Sequence, residues 1–241
     1  MARLVSRAYG KTINRKRIRR LMKENDLLSA VRRRKWSDEV YLKRREMKAN
    51  IPDDQIKRDF FAFEPRKRML EDITYLPGLE KTMYLNTIED LYNGEILAYK
   101  ISDSPNAKLC ADTIEILCST WGECFRGAVI HNDLGSSYVS YEYREAIHRH
   151  GIIQSIGRVA TCYDNAPMES LNGIIKTEAL YCRFGKTKVK EKRVPIAEIL
   201  EEVANFISFY NNERPKASNG GLSPVQFRQQ NPRGTYLIPI G

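Results

Sequence analysis

The fold is set by three successive stretches of the sequence: MLEDITYLP (69–77), TMYLNTIEDL (82–91) and GEILAYKIS (94–102). Each is rich in β-branched and aromatic residues, and its apolar and polar residues alternate with a period of two, which is typical of β-strands. Asn93-Gly94, between the second and third stretches, is a common hairpin-turn pair. The three stretches therefore predict an antiparallel meander.

After the meander, helical periods alternate with two short apolar runs. The predicted order is helix, strand, helix, strand, helix, helix, over residues 104–121, 127–133, 138–151, 152–157, 162 onward and 194–211. A meander followed by this alternation is the order of ribonuclease-H-like proteins. The predicted fold class is therefore α/β, with a mixed five-stranded sheet flanked by helices and a small basic helical segment at the N-terminus.

The positive charge is concentrated near the N-terminus. The 241 residues carry a net charge of +10, yet residues 1–50 alone hold 17 lysines and arginines against 5 acids. INRKRIRRLMKENDLL (13–28) predicts a helix that Asn14 can cap, and a basic run follows at 31–36. Two interpretations fit this segment: one that binds a polyanion such as nucleic acid, and a solvated basic helix without a binding role.

These patterns divide the chain into three parts. We predict a basic helical segment at 1–50, a polar connector at 51–68, and a core with its C-terminal helix at 69–230. No apolar run reaches the roughly 18 to 20 residues of a membrane span, and the basic N-terminus lacks the apolar region of a secretory signal. The five cysteines include no CxxC pair, which favours free thiols over disulfides or a zinc site.

Three acidic residues occupy positions that suggest a specific role. Asp72 lies inside an apolar strand, where a buried carboxylate is costly unless it is paired or binds a metal. Asp133 follows a buried strand, at the strand end where open α/β sheets place ligand-binding groups. Glu169 falls in the first turns of a helix that Asp164 or Asn165 can cap.

Two strands and one helix would thus supply three carboxylates, enough to hold two Mg²⁺ or Mn²⁺ ions across a phosphodiester. Spacing alone does not decide the matter. Thirty-five residues separate Asp133 from Glu169, but the same number separates Asp53 from Glu89. From the residues alone, a metal site and three ordinary surface acids both remain open.

A resemblance to a known family bears on that choice. Five motifs resemble, in order and with compatible gaps over about 69–228, those of bacterial insertion-sequence transposases. The similar group is the one whose second reading frame carries a retroviral-integrase-like DDE core. The motifs are DITYLP (72–77), HNDLGSSYVS (131–140), GRVATCYDNAPMESLNGIIKTE (157–178), FYNNERP (209–215) and GGLSP (220–224).

The resemblance implies a DNA transposase that cuts at the ends of its element and joins DNA through the freed 3′-hydroxyl. It implies that Asp72, Asp133 and Glu169 are the catalytic triad and hold Mg²⁺ or Mn²⁺, as two ions. It also implies action on element ends and target DNA as a homo-multimer in the bacterial cytoplasm, associated with the nucleoid and not with a membrane. An upstream reading frame would supply a helix-turn-helix partner or, by frameshift, a fused one.

Departures from the family pattern keep alternatives open. Ile130-His131-Asn132 stands where two histidines and a serine are usual, and Val159-Ala160 stands where Lys-Gly is usual. A decayed, catalytically inactive copy that only binds DNA is one alternative, and a plain ribonuclease-H-like nuclease is another. The intact acids argue against the first, and the motifs beyond the acids argue against the second.

Basic side chains near the acids are candidates for DNA contacts. Lys176 follows Glu169 by seven residues, two helical turns or about 10 Å along one face. The family pattern has a basic residue there that touches the DNA end, although a solvated lysine is the other interpretation. The further predicted phosphate contacts are Arg15, Arg19, Arg20, Arg32, Arg33, Arg34, Lys186, Lys188 and Arg214.

Overall fold

The computed structural model describes residues 5–6, 9–25, 51–157 and 165–232, in two compact units, Met1–Glu46 and Met47–Gly241. In the first unit, helix α1 (Arg15–Glu24) begins after Asn14, whose side-chain oxygen accepts a hydrogen bond from the Lys16 amide at 2.8 Å. This confirms the predicted cap. The basic run at 31–36, with Arg32, Arg33 and Arg34, lies outside the described residues.

The second unit is built on one mixed sheet. Strands β1 (Arg68–Pro77), β2 (Thr82–Asp90) and β3 (Ile96–Ser102) form the predicted antiparallel meander. Strands β4 (Val129–Asn132) and β5 (Ile153–Ile156) join it in parallel, and the order is β3-β2-β1-β4-β5. The prediction of five strands is confirmed, and β1 is the central strand.

Helices cover both faces of this sheet. Helices α2 (Ala107–Trp121) and α3 (Tyr141–Arg149) are capped by the side chains of Asn106 and Ser140. After β5, helix α4 (Ala166–Ile174) runs on as a π-helical segment, Ile175–Tyr181. The remaining helices are α5 (Cys182–Phe184), α6 (Lys186–Lys190), α7 (Ile196–Asn212) and α8 (Pro224–Gln230), with 3₁₀ turns at Gly122–Phe125 and Ala217–Asn219. Within the described residues no helix is long and apolar enough to cross a membrane.

Each face of the sheet has its own apolar core. Met69 on β1 packs in the core that α2 and α3 cover, with Ile114 and Tyr143. Leu70, the next residue, packs in the opposite core with residues of α4 and α7. Because successive strand residues point to opposite faces, this alternation assigns the next two side chains of β1 to layers. It places Asp72 on the α4 side and Glu71 on the α2–α3 side.

The segment predicted as a connector packs on the second unit. Ile56 and Ala62 are buried, the Gln55 amide donates to Ser155 Oγ at 2.8 Å, and the Arg66 amide donates to an Asp90 oxygen at 2.8 Å. This buried pair lies among charged and aromatic residues, DDQIKRDFFAF (53–63), that follow neither a helical nor a strand period. The pair is nonetheless sufficient, with these backbone hydrogen bonds, to fix residues 51–67 against the sheet.

The turn between β2 and β3 anchors the C-terminal part of the chain. The buried Glu95 carboxylate receives two hydrogen bonds from Arg228, at 2.7 and 3.1 Å, and the buried Glu89 carboxylate lies 3.4 Å from Lys216 Nζ. Gly94 has φ +73°, and a Cβ there would collide with the Lys216 ammonium group. Glycine is therefore favoured at this turn by its positive φ.

The buried Glu89 generates a test of stability against pH. Burial raises its pKa to about 7, with the Lys216 charge acting in the opposite direction. In the unfolded chain glutamate ionises near 4.5, so between these values the folded state holds the extra proton and stability falls as pH rises. We expect Glu89→Gln to remove this loss, so that the variant gains about 1–3 kcal/mol relative to wild type between pH 4.5 and 8.

Urea denaturation of the wild type and of Glu89→Gln, each at about pH 4.5 and about pH 8, measures this difference in the free energy of unfolding. The exposed Glu201→Gln is the matched control and should shift by less than about 0.5 kcal/mol. A pH dependence that is identical in Glu89→Gln and wild type would contradict the assignment of the proton to Glu89.

Candidate active site

Strand pairing brings Asp72 and Asp133 together. Strands β1 and β4 are parallel neighbours, and their pairing ends at Leu70 opposite His131. Each aspartate follows by two residues, Asp72 within β1 and Asp133 directly after β4. The two carboxylates therefore leave adjacent strands at the same end of the sheet, as the sequence analysis predicts.

Glu169 lies in the first turn of α4 and is exposed. Asn165 occupies the cap position, but its side chain makes no capping hydrogen bond, and Asp164 lies outside the described residues. Pro167, the second residue of the helix, has no N–H to donate, which removes one of the two amides that a cap usually binds. The predicted cap position is thus occupied without the predicted side-chain bond.

The charges of the three acids act on one another. Burial, followed by the negative charge of Asp133 and, more weakly, that of Glu169, raises the pKa of Asp72 to about 7. The positive charge of Lys176 acts in the opposite direction. Burial also raises the pKa of Asp133, although the Gly135 amide, which donates to Asp133 Oδ1 at 2.9 Å, lowers it. The predicted acids and Lys176 form one electrostatic cluster.

The three acids are close enough for their charges to interact, but they are not arranged as the ligands of a metal ion. Among the described residues, no three histidine, cysteine, aspartate or glutamate side chains converge as metal ligands do. Like charges oppose closer approach, and the charges of Asp133 and Glu169 add to burial, the larger cause, in raising the pKa of Asp72. A donor set made only of carboxylate oxygens suits a hard divalent cation such as Mg²⁺ or Mn²⁺, whose charge would relieve the repulsion.

A buried network behind the aspartates was not predicted from the sequence. The fully buried Glu71 accepts hydrogen bonds from Asn86 Nδ2 at 2.6 Å, from Asn132 Nδ2 at 3.0 Å and from the Tyr143 hydroxyl. Glu71 precedes Asp72 and Asn132 precedes Asp133, so this network joins the two strands directly behind the paired acids. Strand alternation signals that Glu71 faces away from Asp72, but its partners come from three different elements.

Asn172 is a second residue that the sequence analysis missed. It lies one helical turn after Glu169, is buried, and donates from Nδ2 to Asp72 Oδ2 at 2.8 Å. Its Oδ1 is also buried and has no hydrogen-bond partner among the described residues. The spacing of three residues after Glu169 was the available signal, because residues three apart share a helix face.

The predicted DNA contacts fall into different environments. The Lys176 ammonium lies 3.9 Å from the centre of the Tyr75 ring, and burial lowers the pKa of this lysine. Arg214 instead makes two hydrogen bonds of 2.6 Å to Glu178, so its guanidinium group is committed within the protein. The exposed members of the predicted set are Arg15, Arg19, Arg20, Lys186 and Lys188.

Family models match most of this architecture. An integrase core domain matches residues 63–162, a second integrase core domain model matches 169–231, and an HTH-like domain matches 1–35. The matched core spans the sheet, both aspartates and the helix that carries Glu169. The fold and the acidic cluster thus define a protein with an integrase-type core.

Named relatives agree with the models. The chain is 33% identical over 90% of its length to an uncharacterized transposase-like protein of Haemophilus influenzae, of which it covers 94%. It is 28% identical over 95% of its length to the putative transposase InsK for insertion sequence element IS150 of Escherichia coli, covering 74% of that protein. It is 30% identical over 75% of its length to the transposase InsF for insertion sequence IS3A of Escherichia coli, covering 60% of it.

Solved structures show the same fold. The chain resembles the HTLV-2 integrase catalytic core domain with a TM-score of 0.52 at 16% identity, covering 68% of this chain and 97% of that one. It also resembles a chain of the simian T-cell lymphotropic virus intasome, with a TM-score of 0.59 at 17% identity, covering 79% of this chain and 61% of the other. The predicted ribonuclease-H-like fold is confirmed. The chain belongs to the family of insertion-sequence transposases that carry an integrase core domain.

The Asn172 contact generates a test of its role. Asn172→Ala removes the hydrogen bond that orients Asp72, and we expect DNA cleavage to slow by about 10- to 100-fold, the usual cost of losing a group that orients a metal ligand. DNA affinity should be unchanged. Cleavage rates and DNA binding of the full-length chain measure both quantities.

Asn212→Ala is the matched control, because Asn212 is exposed and bonds only to the Ser208 carbonyl at 2.9 Å among the described residues. Equal cleavage rates for Asn172→Ala and this control would assign Asn172 to the core alone.

Proposed function

We propose that Asp72, Asp133 and Glu169 are the catalytic triad of this transposase. The observation that carries the proposal is geometric: the parallel pairing of β1 with β4 presents Asp72 and Asp133 at one end of the sheet, and α4, which carries Glu169, bonds to Asp72 through Asn172. The charges of Asp133 and Glu169 also act on Asp72, whose pKa is raised mainly by burial. Such coupling of carboxylates from separate elements is typical of functional sites. Three unrelated surface acids would be screened from one another by water.

The carboxylates of the triad would hold two divalent cations, Mg²⁺ or Mn²⁺. When bound, such ions activate the attacking oxygen and stabilise the leaving oxygen of a phosphodiester. The rest of the task falls to the chain itself. Asn172 orients Asp72 by its hydrogen bond, and the network around Glu71 holds the two strands that present the aspartates.

The proposed reaction has two steps at one site. In the first, water attacks a phosphodiester at the element end, and the strand leaves with a free 3′-hydroxyl. In the second, that hydroxyl attacks a phosphodiester of the target DNA, one P–O bond forms, and the target strand leaves as the new 3′-hydroxyl. Lys176 lies within electrostatic reach of Asp72 and would hold a phosphate of the DNA beside the triad.

Removal of each triad acid tests the proposal. We expect Asp72→Asn, Asp133→Asn and Glu169→Gln each to lower cleavage and joining by at least about 10³-fold, because each loses a charged metal ligand. Duplex binding should persist. A labelled element end, incubated with Mg²⁺ or Mn²⁺, reports both cleavage and strand transfer.

The exposed Asp53, which has the same sequence spacing to Glu89 as Asp133 has to Glu169, supplies the control Asp53→Asn. It should retain activity. A triad variant with the turnover of this control would remove that residue from the site.

The N-terminal unit suggests how DNA is held. Helix α1 exposes Arg15, Arg19 and Arg20, whose guanidinium groups can bind DNA phosphates. We infer that this chain binds DNA with little preference for element ends. Specific recognition and pairing of the ends would come from an upstream-frame helix-turn-helix product, as partner or by frameshift fusion, and from multimers.

Competition binding at physiological salt tests this inference. We expect the chain to prefer element-end DNA over scrambled duplex by less than 10³-fold, the low end for specific binders. A larger preference would show that the chain reads the element ends by itself.

A further inference from the structure

A pocket of about 400 Å³ opens between the end of β1, the start of β2, the π-helical segment and the turn after α6. Its lining includes Tyr75, Lys176, Leu180, Tyr181, Lys190 and Lys192. Only Lys176 among these belongs to the predicted DNA contacts. The volume lies within the usual range for sites that hold a small molecule or a single nucleotide.

All the charged groups that line this pocket are lysines. Lys192 donates a hydrogen bond to Thr82 Oγ1 at 3.2 Å, and the neighbouring Glu191 is engaged by Arg193 at 2.9 Å. In the described part of the chain, neither Lys190 nor Lys192 takes part in an ion pair. Lys190 and Lys192 thus offer two ammonium groups without an ion pair in the described residues, and together with Lys176 beside them they favour an anion of more than one charge.

Aromatic side chains form two walls of the same pocket. Tyr75 is 57% exposed and carries the Lys176 ammonium over its ring, and Tyr181 lies across from it on the helix. In an α-helix of 3.6 residues per turn, Tyr181 would lie about 140° away from Lys176. In the π-helical segment, whose hydrogen bonds join residues five apart, the two side chains share a face. The local helix type therefore builds the pocket.

The pocket adjoins the proposed triad, because Lys176 lines the pocket and lies four residues after Asn172, whose Nδ2 donates to Asp72 Oδ2 at 2.8 Å. A strand whose phosphodiester lies at the triad would reach the pocket within a few nucleotides. The pocket is too small for a duplex, so a base can enter only after it has left the stack.

We propose that this pocket binds an unpaired nucleotide of the DNA strand that flanks the cleavage site, with its phosphates on the three lysines and its base against the tyrosine rings. Lysines for phosphate and aromatic rings for bases are the general means by which proteins hold single-stranded DNA. The proposal rests on the proposed function and deepens it. On this proposal, the chain binds a DNA end more tightly when the two strands are separated there.

The test compares two DNAs with the full chain in the presence of EDTA, so that no cleavage occurs. One is a blunt duplex, and the other carries a three-nucleotide 5′ extension labelled with 2-aminopurine. We expect tighter binding of the extended DNA, with quenching of the 2-aminopurine fluorescence. Tyr181→Leu should weaken binding of the extended DNA by about 5- to 100-fold, the cost of one stacked base.

A double variant tests the lysines. Lys190→Ala with Lys192→Gly should abolish the preference for the extended DNA, and glycine suits the φ of +55° at position 192. The matched control is Lys186→Ala with Lys188→Ala, which removes the same charge from the exposed side of the same helix, outside the pocket lining. It should weaken binding of both DNAs equally.

Equal affinity of the wild-type chain for both DNAs, or equal loss of preference in the control and the pocket variant, would overturn the proposal. Thermal unfolding of each variant confirms that it is folded. Cleavage with Mg²⁺ is measured separately. Triad variants that still cleave would overturn the proposed function alone. A wild-type chain that binds the extended DNA no more tightly than the blunt duplex would overturn the pocket proposal alone.

Discussion

The parallel pairing of β1 with β4 is the constraint on which the rest of the molecule depends. It ends at Leu70 and His131, so that Asp72 and Asp133 must leave neighbouring strands at one end of the sheet. The hydrogen bond between Asn132 and the Glu71 carboxylate, at 3.0 Å, repeats this connection inside the core. The spacing of Asp72 and Asp133, the two aspartates of the proposed triad, is therefore set by backbone hydrogen bonds and a buried side-chain network, and not by the acids themselves.

This arrangement opposes the stability of the fold. Burial raises the pKa of Glu71, Asp72, Glu89 and Asp90 to about 7 in each case, which means that each carboxylate resists ionisation where it lies. Glu71 serves the site from behind, Asp72 serves it directly, and Glu89 holds the C-terminal segment through Lys216. Both the proposed active site and the anchor of the C-terminal segment therefore use buried carboxylates, and burial of each carboxylate lowers the stability of the fold.

Helix type also matters to function here. The helix that begins at Ala166 presents Glu169 and Asn172 with α-helical spacing, and then changes to π-helical spacing at Ile175. With this change, Tyr181 and Lys176 line one pocket beside the proposed triad. A single helix thus combines catalytic positioning, through Asn172, with the proposed nucleotide site.

The sequence by itself determined the order of elements and the three acids. Period-two stretches, a turn at Asn93-Gly94 and the cap at Asn14 are local signals, since each depends on residues a few positions apart. Asp72 and Asp133 were visible from their positions within and directly after apolar strands, whereas Glu169 was assigned from the resemblance of its motif.

Only the tertiary structure decided the partners of Glu71, the contact of Asn172 with Asp72, the packing of 51–67 and the pairing of Arg214 with Glu178. Asn172 and Asp72 are 100 residues apart in sequence. No local pattern carries such a pairing, because it arises only when the hydrophobic faces of helix and sheet are buried against each other and fix which polar groups must satisfy one another.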